Sequence, residues 1–148
     1  MKLNLGSGYR KLTNYVNIDN RPECDPDLLH DLTDPLPYEE SSIDEVRAVD
    51  ILEHIPIGRT VGLIGEIWRV LKPGGYFYSM TPSTDGRGAF QDPTHMSFWN
   101  ANSWLYYMDD LYRNLYGIRA KFEGRIYDKI TDMNNRIIHT LGELYAVK

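Results

Sequence analysis

The residues with the clearest chemical potential lie at the start of the chain, where positions 3–8 read Leu-Asn-Leu-Gly-Ser-Gly. Glycine tolerates positive φ and lets a ligand approach the backbone closely, so this turn can present bare N–H groups. Asp19 ends the next strand-like segment, and Asp31 follows twelve positions later. A carboxylate placed there can accept hydrogen bonds from a ribose diol. The spacing therefore predicts a nucleoside site at the carboxyl ends of parallel strands.

Three kinds of ligand compete for a glycine turn of this type. A dinucleotide fingerprint needs a third glycine, but Lys11 occupies that position. A phosphate-binding P-loop needs Gly-Lys-Ser/Thr, which the chain lacks. A nucleoside cofactor without phosphates needs only the tight turn and the diol acceptor, and this interpretation fits best.

Further candidate residues lie in the second third of the chain. His95, in the segment Asp92-Pro93-Thr94-His95, is the candidate general base because imidazole titrates near neutral pH. An equally weighted alternative is that His95 only orders its own loop. Glu53 and His54 are interpreted either as packed residues or as part of the pocket, and the pattern predicts no metal site. Trp104 is expected in the core, whereas Phe98, Trp99 and Tyr106 are expected to be free to meet a sugar or a flat ligand.

Hydrophobic periodicity predicts the elements that must position these groups. Short apolar segments separated by turns indicate strands, and spacing of three or four residues indicates helices. The result is an α/β, Rossmann-like, mostly parallel twisted sheet with a C-terminal antiparallel hairpin. The predicted strands are 2–5, 15–19, 28–31, 45–49, 76–80, 118–130 and 136–147, and the predicted helices are 58–71 and 103–116, the second capped by Asn102.

Length and composition restrict the class of protein. A chain of 148 residues with 42% hydrophobic content fits one domain, residues 1–148. The net charge of -5 disfavours a nucleic-acid partner. The single cysteine excludes an intrachain disulfide, and no apolar run is long enough for a membrane span, so a cytoplasmic location is expected.

Seven short motifs, in order, resemble class I S-adenosylmethionine-dependent methyltransferases of the small type 11-like branch. The resemblance covers about residues 1–82, and members of this branch also carry Asp-Pro-Thr-His after the fifth strand, as here at 92–95. Each motif is weak alone, whereas their order and spacing are specific. The motifs are Leu-Asn-Leu-Gly-Ser-Gly, Val-Asn-Ile-Asp, His-Asp-Leu, Leu-Pro-Tyr, Ile-Asp-Glu-Val, Ile-Leu-Glu-His-Ile and Arg-Val-Leu-Lys-Pro-Gly-Gly.

The resemblance implies S-adenosyl-L-methionine as cofactor and a set of residues around it. It places the glycine turn at the methionine moiety, Asp19 at the ribose, Asp31 at the adenine, and the segment after the fourth strand below the sulfonium. Asn4 stands where many members have an acidic residue. The cofactor-binding residues implied are Asn4, Leu5, Gly6, Ser7, Gly8, Asp19, Asn20, Asp31, Leu32, Asp50, Ile51 and His54.

The activity implied is methyl transfer to oxygen or nitrogen of a small-molecule or saccharide acceptor. The chain has a very short first crossover and no N-terminal helical segment to cover the site. We therefore expect the cover to come from residues 83–117 or from another chain, in a homo-oligomer or with a partner, or the site to have no cover. The alternative function is a non-catalytic S-adenosylmethionine-binding subunit or scaffold that needs a partner, and a nicotinamide oxidoreductase is a second rival.

Overall fold

One seven-stranded sheet organises the computed structural model, which describes residues 1–148. The strand order is β3-β2-β1-β4-β5-β7-β6, with β1 to β5 parallel and β7 antiparallel to both of its neighbours. The predicted mostly parallel sheet with an antiparallel C-terminal hairpin is confirmed. The strands are β1 (Lys2–Leu5), β2 (Val16–Asp19), β3 (Leu28–Leu29), β4 (Ile43–Val49), β5 (Leu71–Pro82), β6 (Phe122–Asp132) and β7 (Ile137–Ala146).

Four helices, all after β4, complete the fold. They are α1 (Thr60–Val70), α2 (Gly88–Gln91), α3 (Leu105–Met108) and α4 (Asp110–Tyr116). Three single 3₁₀ turns cover Pro22–Cys24, Leu52–His54 and Ala101–Trp104. None of these helices has the length and hydrophobicity of a membrane-spanning segment.

The core lies between one face of the sheet and the helices α1 and α3. Val46 and Phe77 of the sheet are fully buried, as are Ile64 and Ile67 of α1. Trp104 packs its ring 5.8 Å from that of Phe77 in a T-shaped arrangement that aromatic quadrupoles favour. These residues belong to one cluster of 23 buried hydrophobic residues.

The opposite sheet face is polar, and the core helices do not cover it. The Tyr76 and Tyr145 rings lie 5.3 Å apart, and Tyr145 is 45% exposed. The guanidinium of Arg47 lies over the Tyr78 ring at 4.4 Å. The connections among β1, β2, β3 and β4 contain no α-helix, which agrees with the short first crossover seen in the sequence.

Helix α1 buries an apolar stripe that includes Leu63, Ile67 and Val70. Val61 of the same helix is 50% exposed. Trp68 lies at the edge of the stripe, where its indole N–H donates to the Val147 carbonyl at 2.8 Å. A tryptophan at the rim of a core satisfies its polar atom in this way.

The predicted helix 103–116 is wrong as a single element. The 3₁₀ turn begins at Asn100, whose side chain accepts from Asn102 N–H in a capping box, so Asn100 rather than Asn102 is the cap. Asp109 adopts an extended conformation and starts α4 by accepting from the Leu111 and Tyr112 N–H groups. The local capping hydrogen bonds of Asp109 override the apolar periodicity.

Candidate functional site

A cavity of about 480 Å³ lies at the carboxyl ends of β1, β2, β3 and β4. Ligands of open α/β sheets bind at these strand ends, where the loops diverge. The volume lies within the range of small-molecule sites. Its walls are formed by Gly6, Asp19, Asn20, Arg21, His30, Asp31, Leu32, Thr33, Asp50, Ile51, His54, Ile55, Pro56, Thr94 and Met96.

Gly6 lines the cavity at a position that only glycine can occupy without strain. Its φ is +61°, and a Cβ there would overlap the side chain of Ile51 from the segment after β4. L-residues pay a steric cost in this left-handed region. Gly6 therefore allows the tight turn after β1 and also allows the end of β1 to pack closely against the segment after β4.

Asp19 connects the turn to the end of β2. Its Oδ2 accepts from the Gly8 N–H at 2.7 Å, and its Oδ1 accepts from the Arg21 N–H at 3.0 Å. The residue is only 6% exposed, yet it lines the cavity. A carboxylate has about four acceptor positions, so Asp19 keeps capacity for a ligand donor.

Asp31 and its neighbours form the wall beyond β3. Asp31 and Leu32 line the cavity, as does Asn20. Both the N–H and the hydroxyl of Thr33 donate to Asp31 Oδ1 at 2.8 Å, and these bonds lower the pKa of Asp31. Asp31 thus orders its own turn and also contributes to the cavity wall.

Asp50 occupies the end of β4 in a strained conformation. Its φ is +52°, which is uncommon for a residue with a Cβ, and its N–H donates to the Met80 carbonyl. Its buried Oδ1 has no hydrogen-bond partner, although His139 Nε2 lies 3.2 Å away. His30 also lines the cavity, and its Nε2 is likewise buried without a partner.

Four of the residues implied by the family resemblance do not line the cavity. Asn4 is buried and donates to Asn17 Oδ1 at 2.9 Å and to the Arg10 carbonyl at 3.2 Å, so it holds the first crossover in place. Leu5 belongs to the core and Ser7 is buried. Gly8 contributes through its bond to Asp19.

Several cavity residues were missed by the sequence reasoning. Arg21 lies beside Asp19. Its position two residues after that carboxylate in the sequence could have indicated that it also lines the cavity. Thr94 and Met96 come from a loop with no periodicity, so no local pattern could place them there. The complete set missed is Arg21, His30, Thr33, Ile55, Pro56, Thr94 and Met96.

The loop after β5 is fastened to the turn after β4 by backbone hydrogen bonds. The Glu53 carbonyl accepts from the N–H groups of Met96 at 2.7 Å and Ser97 at 3.0 Å. The Ser97 hydroxyl donates to the Leu52 carbonyl at 2.8 Å. These bonds bring His95 against His54, with ring centroids 5.0 Å apart in a T-shaped arrangement.

The side chain of Glu53 is a buried carboxylate where the loop after β5 contacts the turn after β4. It is 2% exposed, and Thr81 donates to its Oε2 at 2.9 Å. Burial raises the pKa of Glu53, because desolvation disfavours the charged form more than the Thr81 hydrogen bond favours it.

His95 lies behind His54 rather than in the cavity wall. Its side chain is 6% exposed, and its Nδ1–H donates to the Ala89 carbonyl at 2.9 Å. Asp92 Oδ2 lies 3.8 Å from its Nε2, while Asp92 Oδ1 accepts from the N–H and hydroxyl of Thr94. His95 therefore orders its loop, as one of the two interpretations expected, and its role as a base stays a prediction.

The aromatic residues differ from the expectation in one respect. Trp99 is 5% exposed, and its indole N–H donates to the Ser97 hydroxyl at 3.0 Å, so its predicted freedom to meet a ligand is wrong. Trp104 is buried, as predicted. Phe98 is 49% exposed and stacks on Phe90, with ring centroids 5.4 Å apart.

Known structures share this fold at low sequence identity. A chain from the Haloferax volcanii complex of the Trm112 methyltransferase activator with a methyltransferase matches at TM-score 0.69 and 16% identity, covering 99% of this chain and 82% of that one. An Archaeoglobus fulgidus S-adenosylmethionine-dependent methyltransferase matches at 0.68 and 12%, covering 98% and 85%. Burkholderia thailandensis 1,6-didemethyltoxoflavin-N1-methyltransferase, solved with S-adenosylhomocysteine, matches at 0.66 and 11%, covering 99% and 71%.

A family model described as a methyltransferase domain matches residues 5–79, which include the glycine turn, Asp19, Asp31 and the segment after β4. No curated protein sequence matches the chain. The matched region runs from β1 into β5 and supplies most of the cavity wall. The chain therefore belongs to the class I S-adenosylmethionine-dependent methyltransferases, in the type 11 branch.

Proposed function

We propose that the cavity at the ends of β1–β4 holds S-adenosylmethionine and that the protein methylates a hydroxyl-bearing small molecule or saccharide. The observation that carries the proposal is the conjunction of the Gly6 turn and the Asp19 carboxylate at one wall of this cavity. The further residues proposed to bind the cofactor are Asn20, Asp31, Leu32, Asp50, Ile51 and His54.

The chemistry of the wall fits this cofactor. Three carboxylates, from Asp19, Asp31 and Asp50, line the cavity together with a single guanidinium, that of Arg21. An acidic wall attracts a sulfonium and an ammonium group. The buried atoms without partners, His30 Nε2 and Asp50 Oδ1, are groups that a bound polar ligand can satisfy.

The cofactor, when bound, supplies a methyl group on a positively charged sulfur. The contribution of the chain is positioning, because holding the acceptor atom in line with the methyl carbon removes most of the entropic barrier. The turn at Gly6 holds the methionine moiety, and the carboxylates of Asp19 and Asp31 hold the nucleoside. Ile51 and Met96 add apolar surface to the cavity wall.

An acceptor with a hydroxyl group is favoured by charge and by the composition of the wall. The net charge of -5 disfavours nucleic acid. His54 and Thr94, which stand together with His54 Nδ1 3.3 Å from Thr94 Oγ1, offer polar contacts at the side of the cavity nearest the loop after β5. A sugar or a small alcohol can form hydrogen bonds with both.

Calorimetric titration with S-adenosylhomocysteine tests the proposal. We expect Asp19→Ala to bind about 10–100-fold more weakly than the wild type, because it loses a charge-assisted hydrogen bond. Asp34→Ala is the matched control, since the Asp34 side chain is exposed and makes no hydrogen bond. Absence of binding by the wild-type chain contradicts the proposal.

A partner-dependent methyltransferase or cofactor-binding subunit is the second candidate function. Helix α4 has no buried residue, and Leu111 and Leu115 are 74% and 71% exposed. Exposed apolar side chains grouped on one helix are typical of interaction surfaces. The Haloferax volcanii neighbour, whose structure is a complex with a methyltransferase activator, supports this candidate. Methyl transfer to small alcohols by the isolated chain contradicts it.

A further inference from the structure

We propose that Glu53, His54 and His95 form a binding site for a divalent transition-metal cation beside the cofactor cavity. One potential ligand atom from each of the three residues lies within 4.8 Å of the others. The sequence pattern did not predict this site, because His95 is separated from the other two ligands by more than forty positions.

The ligand types determine which cations fit. Two imidazoles and one carboxylate suit zinc, iron, cobalt or manganese, with coordination positions left open for water or a substrate oxygen. Bonds of about 2.0–2.2 Å place tetrahedral ligand atoms roughly 3.3 Å apart, so binding requires the three side chains to contract. His54 is half-buried, and its side chain makes only one hydrogen bond, a long one of 3.3 Å to Thr94, so the ring can shift toward a bound cation.

Surrounding hydrogen bonds already orient two of the ligands. The Ala89 carbonyl accepts from His95 Nδ1–H at 2.9 Å, which fixes the tautomer and leaves the lone pair on Nε2. Thr81 donates to Glu53 Oε2 at 2.9 Å and holds that carboxylate in place. Metal-binding histidines and carboxylates typically have such outer partners. The Asp92 carboxylate, with Oδ2 3.8 Å from His95 Nε2, adds negative charge next to the cluster.

Burial provides an independent argument for a cation. Glu53 is 2% exposed and no lysine or arginine forms an ion pair with it. Buried carboxylates are normally paired with a positive charge or with a metal. A cation at this site neutralises the charge of Glu53 and is coordinated by the imidazoles of His54 and His95. Without a cation, these two rings contact each other only edge to face.

The position suggests what the cation does, a role that rests on the proposed methyl transfer. His54 belongs both to the cluster and to the cavity wall, so the cation lies where an acceptor hydroxyl can reach it. Coordination lowers the pKa of the hydroxyl, whose proton passes to solvent. The oxygen lone pair then forms a bond to the methyl carbon, and the carbon–sulfur bond breaks with its electron pair remaining on sulfur. This assigns His95 a ligand role in place of the predicted base.

Metal titration of the chelator-treated protein, without S-adenosylhomocysteine, tests the site separately from the cofactor. We expect one Zn²⁺ per chain by calorimetry and visible absorption bands on adding Co²⁺. Glu53→Gln and His95→Gln should each weaken Zn²⁺ binding by at least about 10-fold. His30→Gln is the matched control, because His30 lies in the cavity wall but outside the cluster.

Nuclear magnetic resonance of the four histidine side chains gives a test that needs no variant. Adding Zn²⁺ to the wild-type chain should shift the ring nitrogens of His54 and His95 and leave those of His30 and His139 unchanged. Shifts confined to His30 or His139, or no Zn²⁺ binding, would overturn the proposal. If the wild-type chain binds Zn²⁺ but does not bind S-adenosylhomocysteine, the proposed function is contradicted and the proposed metal site is still supported.

Discussion

At the scale of single residues, Gly6 is where the sequence motif has its firmest physical basis. Its φ of +61° disfavours a residue with a Cβ, and the Ile51 side chain leaves no space for one. We expect Gly6→Ala to lower the free energy of unfolding by about 2–4 kcal/mol, from left-handed strain plus overpacking, and to weaken S-adenosylhomocysteine binding. Urea unfolding and calorimetry measure the two effects.

Two further variants separate the causes of that loss. Gly58→Ala should change the unfolding free energy by less than about 0.5 kcal/mol, because nothing lies within 4 Å of a Cβ there. Gly6→Ala combined with Ile51→Ala removes the overlap and should recover part of the stability. Equal losses for Gly6→Ala and Gly58→Ala would show that the Gly6 conformation is not special.

Single residues also show which parts of the candidate site could be predicted from the sequence. Gly6, Asp19 and Asp31 could be predicted to share a site because each follows a short strand of one parallel sheet, and such strand ends meet at one edge. The contact of His54 with His95 could not be predicted. It depends on two backbone hydrogen bonds to the Glu53 carbonyl, from Met96 and Ser97, and backbone groups carry no sequence signal.

At the scale of elements, an exposed ion pair joins β4 to β5. Lys72 donates to Asp44 Oδ1 at 2.6 Å, and the N-terminal amine also contacts this carboxylate. These contacts lower the pKa of Asp44 to about 2. Because the pKa is depressed on folding, the stabilisation is present above the unfolded value near 3.8 and is lost as the pH falls toward 2.

Asp44→Asn should therefore lower the urea midpoint at pH 7, and its difference from the wild type should shrink between pH 4 and pH 2. The effect should also decrease in high salt, since both partners are about half exposed. Asp34→Asn serves as the control without an ion pair. A difference that stays constant from pH 7 to pH 2 would exclude the ion pair as its cause.

Elements differ in how well periodicity predicted them. Helix α1 was located correctly because its apolar spacing is regular and Pro73-Gly74-Gly75 follows it closely. The predicted helix 103–116 failed because Asp109 caps a new helix at α4, and a cap in mid-segment competes with the helical hydrogen bonds. Leu111 and Leu115 continue the period but lie exposed. Periodicity alone cannot distinguish a buried stripe from a surface one.

At the scale of the whole molecule, the two halves of the sheet are supported unequally. The β1–β2–β3 half has no α-helix in its connections, and β3 is only two residues long at the sheet edge. The β4–β5–β7 half packs against α1 and α3 around Phe77. Regions with fewer buried contacts open more easily. The residues proposed to bind the nucleoside, Asp19 and Asp31, therefore lie in the β1–β2–β3 half of the sheet, which has less helical support.

Hydrogen exchange should reveal this division. Without ligand, amides of β2 and β3 should exchange faster than those of β4, β5 and β7. Adding S-adenosylhomocysteine should slow exchange from β1 to β3 and around Asp31, and leave the β6–β7 hairpin unchanged, because the cavity is lined by the first group of segments and by none of the hairpin. Uniform slowing over the whole sheet would contradict the unequal support.

The packing of Trp99 and Trp104 has a consequence for spectroscopy. All three tryptophans, Trp68 included, belong to or pack against the core. None of them lines the cavity, and neither does any tyrosine. Intrinsic fluorescence will therefore follow the loss of the packed core during unfolding and remain nearly constant while the cofactor cavity fills. The molecule carries a built-in optical reporter of its integrity that is insensitive to its occupancy.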